Sequence, residues 1–330
     1  MKVGVLLPID SAFTVAAHTR FAQAAEAGGL DSVYVGEVAG YEPFVLLAAI
    51  GARIPRIRLG TAIASIYSRP PALMAAQLLA LASLVGSSRV VAGLGTSSPI
   101  MVEYWQGLRF DKPVARMREY VALLRTMFAG DKTSFEGTTL RSHGFKTTVA
   151  PCALPIYLGA FGPRMARLAG ECADGVIAAL TPPAQLGQVL DVARSARPDG
   201  LAPLATVVSG LRVYCGPDTD TARAFLRRLL LGYAMVPTHR RQFEPYVPHL
   251  ADVEDLWRRG DRAGAMRAFG DSAVDTFCVV GPPGAVAGRI REYASAGVDE
   301  LLLQPVGRDV HDRSGCLRTI ESVAAARPLS

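Results

Sequence analysis

A loop between a predicted strand and a predicted helix carries the residue pattern best suited to binding a ligand. Residues 156–158 are apolar, and the loop that follows them leads into small and apolar residues in helical spacing. The N-terminus of a helix presents unpaired N–H groups and a positive dipole end, so an anion is favoured there. A plain tight turn with proline at the first helical position gives the same pattern, and spacing alone favours neither. The loop consists of Gly159, Ala160, Phe161, Gly162 and Pro163.

Polar side chains also follow other predicted strands. Glu37 comes after the second strand, where its carboxylate can accept a hydrogen bond or move a proton, or can simply be solvated in a loop. Thr96, Ser97 and Ser98 follow the fourth strand. Their hydroxyls can donate hydrogen bonds to the edge of a heterocycle, although capping the next helix is the better local interpretation.

The five histidines do not form a metal-binding pattern. No two of them are four residues apart and His-Glu-x-x-His is absent, so the sequence predicts no metal site. The Gly-x-Ser-x-Gly turn, the Walker loop and a convincing Gly-x-Gly-x-x-Gly after a strand are absent too. We expect His18 on a helix surface, whereas His239 and His249 either line a substrate pocket or have a structural role. The histidines are His18, His143, His239, His249 and His311.

The composition is that of an ordinary globular protein with a large core. The chain has 330 residues, of which 50% are apolar and 19% charged, and its formal net charge is +6. No apolar run is long enough to cross a membrane, and Pro8 and Asp10 interrupt the N-terminal stretch too early for a signal peptide. No nucleic-acid recognition motif accompanies the mild positive charge, which instead favours an anionic small molecule as the partner.

Five scattered cysteines predict reduced thiols. Their number is odd, and no two of them form a Cys-x-x-Cys pair. Such a set indicates a cytoplasmic protein without disulfides. The cysteines are Cys152, Cys172, Cys215, Cys278 and Cys316.

Alternating strands and helices predict a single (β/α)8 barrel domain over residues 1–330. Continuous apolar strands that alternate with helices indicate a parallel sheet covered by helices. Three helix-to-strand joints, near residues 27, 170 and 296, repeat a small helix end, an aspartate and an apolar strand. A doubly wound open sheet is the rival fold, but it usually has fewer units. The eight predicted strands span residues 2–8, 32–36, 57–63, 89–95, 155–159, 174–179, 204–215 and 299–305.

Two long segments exceed the simple barrel pattern, one after strand 4 and one after strand 7. The first, residues 98–153, contains a predicted helix over 114–128 and a short hairpin around 133–140. The second, residues 216–276, carries several aromatic residues and histidines among arginines. Long insertions in a barrel usually cover the catalytic end or form an oligomer contact, and we expect the second one to cap the substrate.

Four stretches appear in the order, spacing and context of a known family. They are "DSVYVGEVAGYEPFVLLAAI", "RIRLGTAIASIYSRPPALMAAQLLALASL", "RVVAGLGTSSPIMVEYWQG" and "PIYLGAFGPRMARLAGECADGVI". The chain resembles the bacterial luciferase-like flavin and deazaflavin oxidoreductases. The closer resemblance is to the branch that uses the deazaflavin coenzyme F420 and includes methylenetetrahydromethanopterin reductase. It covers most of the chain and is weakest over residues 216–276, and it implies a (β/α)8 barrel and a homodimer.

The resemblance also implies the cofactor-binding residues. Residues 159–163 match the loop that holds the cofactor phosphate, whether the cofactor is F420 or FMN. The segment that contacts the isoalloxazine-like ring is matched by Gly95, Thr96, Ser97 and Ser98. The segment behind that ring is matched by Thr61, Ala62, Ile63 and Ala64. In many relatives it contains a non-proline cis peptide bond, which would fall between Ala62 and Ile63.

Two departures from the family pattern narrow the range of expected reactions. The sugar-phosphate dehydrogenase relatives carry Asp-His after strand 2, where this chain has Glu37-Val38, and their glutamate after strand 4 matches Ser98. Sugar-phosphate oxidation by their mechanism is therefore not expected. Glu37 is the first candidate for a catalytic residue, with Tyr67 and Tyr104 as further proton-donor candidates.

By resemblance, the expected activity is hydride transfer between F420 and a small organic substrate. The preferred direction is reduction of an activated C=C or C=N bond, because the dehydrogenase histidine is missing. The first alternative is a reduced-FMN-dependent monooxygenase on the same fold. The second is a non-catalytic flavin- or deazaflavin-binding protein.

Overall fold

A closed parallel barrel forms the body of the protein. The computed structural model describes residues 1–9 and 12–326, and within these residues eight parallel strands close on themselves through the pairing of the last with the first. The strands are β1 (Lys2–Leu6), β2 (Ser32–Val35), β3 (Arg58–Thr61), β4 (Ala64–Ser65), β5 (Val90–Gly95), β6 (Ser134–Glu136), β7 (Arg141–His143), β8 (Ile156–Gly159), β9 (Gly175–Ala179), β10 (Ala205–Tyr214), β11 (Cys278–Val280) and β12 (Glu300–Pro305). The barrel order is β1-β2-β3-β5-β8-β9-β10-β12. The predicted fold class is confirmed.

Helices follow the barrel strands and cover the outside of the sheet. They are α1 (Val15–Ala27), α2 (Pro43–Gly51), α3 (Pro71–Val85), α4 (Pro113–Phe128), α5 (Pro163–Cys172), α6 (Leu186–Ser195), α7 (Thr219–Ala234), α8 (Arg240–Phe243), α9 (Leu250–Arg258), α10 (Arg262–Phe269), α11 (Ser272–Phe277), α12 (Pro283–Ser295) and α13 (Arg313–Ala326). Short 3-10 turns span Ser87–Arg89 and Pro183–Gln185, and a π-helical turn spans Ile100–Trp105. None of the helices in the described part of the chain is both long and apolar enough to cross a membrane.

A buried ion pair closes the N-terminal end of the barrel. Glu300 on β12 accepts a hydrogen bond from Arg58 on β3 at 2.6 Å and a second one from the Ser32 hydroxyl on β2. Glu300 is almost fully buried, and pairing with hydrogen bonds is what makes a buried carboxylate tolerable. The C-terminal ends of the strands are therefore the open end, as in other barrels of this kind.

The structure tests two predictions about individual side chains, those for the cysteines and for His18. The five cysteines are free thiols, as expected. The expectation for His18 is wrong, because its side chain is buried. Its Nε2 lies 3.1 Å from the carbonyl oxygen of Pro8, and its ring packs edge-on against Phe13 and Phe21. The histidine ties α1 to the loop after β1, which periodicity along one helix cannot show.

The first insertion contains the predicted hairpin and helix. Strands β6 and β7 pair antiparallel, and the turn between them is hydrogen-bonded to Glu119 of α4. Its carboxylate accepts bonds from the backbone N–H and hydroxyl of Thr138 and Thr139 at 2.6–2.9 Å, and from Leu140 N at 2.8 Å. Partial burial pushes the pKa of Glu119 up, but these hydrogen bonds outweigh it and lower the pKa to about 2.

Glu119 should therefore stabilise the protein in a pH-dependent way. A carboxyl with a depressed pKa in the folded state contributes stability above its unfolded pKa, which is lost as pH falls from about 4.5 towards about 2. We expect Glu119→Gln to lower the free energy of unfolding at neutral pH by about 1–2 kcal/mol. The variant should also flatten the stability profile in that acid window, as measured by chemical denaturation. Equal acid profiles for the two proteins would contradict this role.

The second insertion forms a small helical layer with its own apolar core. It comprises α7 to α11, followed by β11, which pairs parallel to β10 outside the barrel path. Phe243 and Phe269 are fully buried in this layer, and the Phe277 ring packs at a tilt against Phe243 with a centroid distance of 4.7 Å. The layer is folded rather than a loose loop, so it can present side chains in fixed positions.

Candidate functional site

Three segments predicted to bind the cofactor meet around the side chain of Ile63. A methyl group added at Gly95 would lie 2.4 Å from Cγ1 of Ile63, and one added at Gly159 would lie 3.1 Å from its Cγ2. Any larger residue at Gly95 would therefore collide with Ile63. The C-terminal ends of β3, β5 and β8 thus meet at Ile63, Gly95 and Gly159. Cofactor binding by the segments that contain them stays a prediction.

The segment after β3 forms a bulge that is held from both neighbouring strands. The peptide bond between Ala62 and Ile63 is cis, as expected. On one side, Ala62 N donates to Val35 O at 2.9 Å and the N–H of Glu37 donates to Ile63 O at 3.1 Å. On the other side, the Thr61 hydroxyl donates to Gly93 O at 2.6 Å. Ala64 then begins β4, which pairs with the end of β5. We call residues 61–64 the bulge.

Glu37 is engaged in holding the bulge. Its carboxylate accepts hydrogen bonds from Ser65 N at 2.7 Å, from the Ser68 hydroxyl at 3.0 Å and from Arg69 Nη1 at 2.6 Å. Arg69 also donates to Glu42 at 2.6 Å. The side chains of Arg69 and Glu37 are only 7% and 13% exposed. Burial opposes the charge of Arg69, but the Glu37 and Glu42 carboxylates outweigh it and raise its pKa. The geometry gives Glu37 a positioning role, and its catalytic role stays a prediction.

The two candidate tyrosines have different surroundings. The Tyr67 hydroxyl donates to Asp111 O at 2.6 Å, and its ring stacks on Phe110. Burial is the main reason that the pKa of Tyr67 is raised to about 12. Tyr104 lies in the π-helical turn and is 82% exposed. Tyr67 thus anchors the loop before α4, and a proton-donor role for either tyrosine stays a prediction.

The loop after β5 has a strained backbone and a capping role. Ser97 has a φ of 59°, in the left-handed region that a non-glycine residue rarely adopts. The Ser98 hydroxyl accepts from Met101 N at 3.4 Å in the manner of a helix cap. The local capping interpretation is therefore correct for Ser98. The contact of Thr96 and Ser97 with a ring stays a prediction.

The loop after β8 leaves the start of α5 open. Gly162 precedes Pro163 at the helix N-terminus, and no side chain among the described residues caps it. Within that part of the chain, nothing lies within 4 Å of a methyl group added at Gly162. Ala160 N donates a hydrogen bond to Ile177 O, and this bond fixes the loop to β9. Open space over uncapped N–H groups is what a phosphate needs, so these residues fit a phosphate-bearing cofactor.

The second insertion reaches over this loop. The His239 ring packs edge-on against the exposed Phe161 ring at 5.0 Å and lies 5.6 Å from Tyr233. Burial, together with the nearby Arg212, lowers the pKa of His239 to about 4, so the imidazole is neutral at neutral pH. Gln242 donates to Ala179 O at 2.7 Å. Sequence reasoning named His239 only as one of two histidines in the insertion, because no local pattern reveals its contact with Phe161.

The closed parallel barrel has an uncapped helix start after its fifth strand and a tightly packed bulge after its third, which is the fold of a barrel enzyme with its site at the C-terminal strand ends. The chain belongs to the luciferase-like monooxygenase family, whose model matches residues 1–300. The protein is therefore a luciferase-like oxidoreductase.

Relatives and solved structures of this family resemble the chain over nearly its full length. It is 30% identical to the "Putative coenzyme F420-dependent oxidoreductase Rv3520c" of Mycobacterium tuberculosis, over 92% of this chain and 94% of the relative. It is 26% identical to the 5,10-methylenetetrahydromethanopterin reductase of Methanolobus tindarius, over 93% and 95%. The structure of the coenzyme F420-dependent tetrahydromethanopterin reductase from Methanopyrus kandleri superposes with a TM-score of 0.81 at 20% identity, covering 98% of this chain and 97% of that one.

Proposed function

We propose that this oxidoreductase transfers a hydride between coenzyme F420 and a small organic substrate, and that it reduces an activated C=C or C=N bond. The observation that carries the proposal is the convergence of the bulge, the loop after β5 and the loop after β8 around Ile63. The named relatives support F420 as the cofactor, since the descriptions of two of those reported above carry its name.

Each of the three segments has a defined task in this proposal. The backbone N–H groups at the start of α5 hold the phosphate, because Gly162 leaves space above them. The bulge and the loop after β5 would hold the ring of the cofactor. A bound deazaflavin supplies the hydride chemistry, whereas the protein supplies orientation and exclusion of water.

The environment of Glu37 supports reduction of the substrate rather than its oxidation. Oxidation of an alcohol needs a base that removes the hydroxyl proton. At the end of β2 this chain has Glu37, whose carboxylate is paired with Arg69 and bonded to Ser65 and Ser68. A carboxylate so occupied makes a poor base. Reduction of an activated double bond needs no base: it takes a hydride from the reduced cofactor and a proton from a donor, for which Tyr67 and Tyr104 are the candidates.

The second insertion is proposed to cap the substrate. Its neutral His239 lies against Phe161, beside the loop that is proposed to hold the phosphate. Aromatic faces and an uncharged imidazole suit a small organic molecule. We also propose a cytoplasmic location, in keeping with five free thiols.

Anaerobic turnover tests the proposed reaction. Reduced F420 is mixed with the protein and a panel of activated alkenes and imines, and oxidation of the cofactor is followed by its absorbance. The proposal expects enzyme-dependent oxidation with at least one acceptor. Turnover that instead requires reduced FMN and oxygen would identify a monooxygenase. Binding without turnover of any acceptor, in either assay, would favour a non-catalytic binding protein.

A further inference from the structure

Three arginines from separate elements line one cleft on the outside of the barrel. Arg20 lies on α1, Arg53 follows the end of α2, and Arg313 is the first residue of α13. All three side chains are exposed, and the cleft that they share beside α1 has a volume of about 550 Å³. We call it the arginine cleft. Among the described residues that line it, none is an aspartate or a glutamate.

The arginine cleft concentrates positive charge in a small part of the surface. Guanidinium groups stay charged at every pH that a folded protein meets. The three groups therefore carry +3, which is half of the formal net charge of +6 of the whole 330-residue chain. Like charges that line one cleft repel each other and attract an ion of the opposite sign. The cleft is thus suited to an anion.

Surface arginines elsewhere on the outer helices have acidic partners. Arg118 of α4 and Arg223 of α7 each pair with a carboxylate of a neighbouring helix. By contrast, no ion pair within the described residues involves the three arginines of the cleft. Their charge is therefore not neutralised by a carboxylate of the described part of the chain, and a ligand can neutralise it.

The polar groups of the cleft suit an oxyanion with several charges. The Arg53 side chain is held in place, because its Nη1 donates to Ala49 O at 3.0 Å, and its other nitrogens remain as donors. The planar fork of N–H groups on arginine matches pairs of phosphate oxygens. Gln23, which also lines the cleft, adds an amide that can donate. Donors on three elements can bind different oxygens of one extended anion.

The size of the cleft favours an anion larger than a single ion of salt. Sites for small molecules have volumes of about 300–1,000 Å³, and the arginine cleft lies in this range. A chain of linked phosphates has the several charges and the length that three arginines from separate elements require. A free polyphosphate and the polyphosphate of a nucleotide share this chemistry.

We propose that the arginine cleft binds a small polyphosphate, and that the bound anion stabilises the protein by joining α1 to the start of α13 and the end of α2. A ligand that binds only the folded state raises its stability by mass action. The proposal is independent of the hydride transfer proposed above, because the cleft does not include the bulge or the loops after β5 and β8.

Isothermal titration calorimetry with inorganic triphosphate, in the absence of any cofactor, tests the site. The wild-type chain should bind it saturably, and Arg20→Gln and Arg313→Gln should each weaken binding by about tenfold or more, because hydrogen bonds to a charged group are lost. Arg318→Gln is the matched control, since Arg318 is exposed on α13 but does not line the cleft. No binding by the wild type, or equal affinities of Arg20→Gln and Arg318→Gln, would overturn the proposal.

The proposed cofactor loop after β8 could also take triphosphate, so Gly162→Leu is titrated in parallel. Binding at the arginine cleft should survive Gly162→Leu. Binding that is lost in Gly162→Leu and kept in Arg20→Gln would place the anion at that loop and overturn the proposal. Circular dichroism should show that all four variants are folded.

Thermal unfolding tests the stabilising effect and the kind of anion. Triphosphate should raise the melting temperature of the wild type and of Arg318→Gln, but not that of Arg20→Gln. ATP should act like triphosphate if the phosphate chain alone is recognised, and at lower concentration if the nucleoside is bound as well. An equal rise with sulfate at the same ionic strength, or an equal rise in Arg20→Gln, would overturn the assignment of a polyphosphate site.

Discussion

Gly162→Leu is expected to weaken binding of F420 by about 100-fold while leaving the barrel folded. The leucine side chain would occupy the space above the first turn of α5. Loss of two N–H hydrogen bonds to a charged phosphate, at about 1.5–3 kcal/mol each, gives about 3 kcal/mol or more, and about 3 kcal/mol is about 100-fold in affinity. FMN should be affected equally, since it too presents a phosphate there.

The structure explains why this substitution should spare the fold. Gly162 has φ −139° and ψ 165°, an extended conformation that any residue adopts. Among the described residues, none approaches the position of an added methyl group to within 4 Å. The glycine is therefore needed for the space beside it and not for its own conformation.

Gly284→Leu provides the control for this experiment. Gly284 follows Pro283 in the first turn of α12, and no described atom lies within 4 Å of a methyl group added there. The Gly284→Leu variant should bind cofactor as tightly as the wild type in a fluorescence titration. Both Gly162→Leu and Gly284→Leu should unfold at the wild-type temperature. Full affinity in folded Gly162→Leu would mean that the loop is only a tight turn.

Arg69→Met is expected to lower the free energy of unfolding by about 3–5 kcal/mol. Removing one partner of a buried ion pair leaves the other charge uncompensated, and that cost falls in this range. Arg69 pairs at 2.6 Å with both Glu37 and Glu42, and the Glu37 side chain is well shielded from water. Urea denaturation measures the change, and cofactor affinity should fall with it because Glu37 holds the bulge.

An exposed ion pair gives the comparison for Arg69. Arg223 pairs with Asp275 at 2.7 Å, but the Asp275 side chain is largely exposed. Arg223→Met should therefore cost less than about 1 kcal/mol. Adding Glu37→Gln to Arg69→Met should recover part of the lost stability, since the uncompensated charge is removed. If Arg69→Met lowered the free energy of unfolding as little as Arg223→Met, the role of the Arg69–Glu37 pair in holding the bulge would be wrong.

The barrel could be predicted from sequence because its signals are local. Each barrel strand is a short apolar run between turn residues, and proline marks the starts of α2 and α3. The location of the bulge at Ala62 and Ile63 came from the family resemblance and was correct. Periodicity alone does not identify such a segment.

The polar contacts of the site could not be predicted, because they join distant parts of the chain. Arg69 lies 32 residues after Glu37, and nothing in either segment indicates their ion pair. The edge-on packing of His239 on Phe161 likewise depends on how the second insertion folds over the barrel. The packing of Gly95 against Ile63 becomes visible only when β3 and β5 are neighbours.

Parallel fluorescence titrations of the protein with F420 and with FMN test the central claim most directly. The account predicts saturable, tight binding of F420, and loss of that binding in Gly162→Leu but not in Gly284→Leu. Tight binding of FMN with no binding of F420 would contradict the assignment of the cofactor and, with it, the proposed hydride transfer.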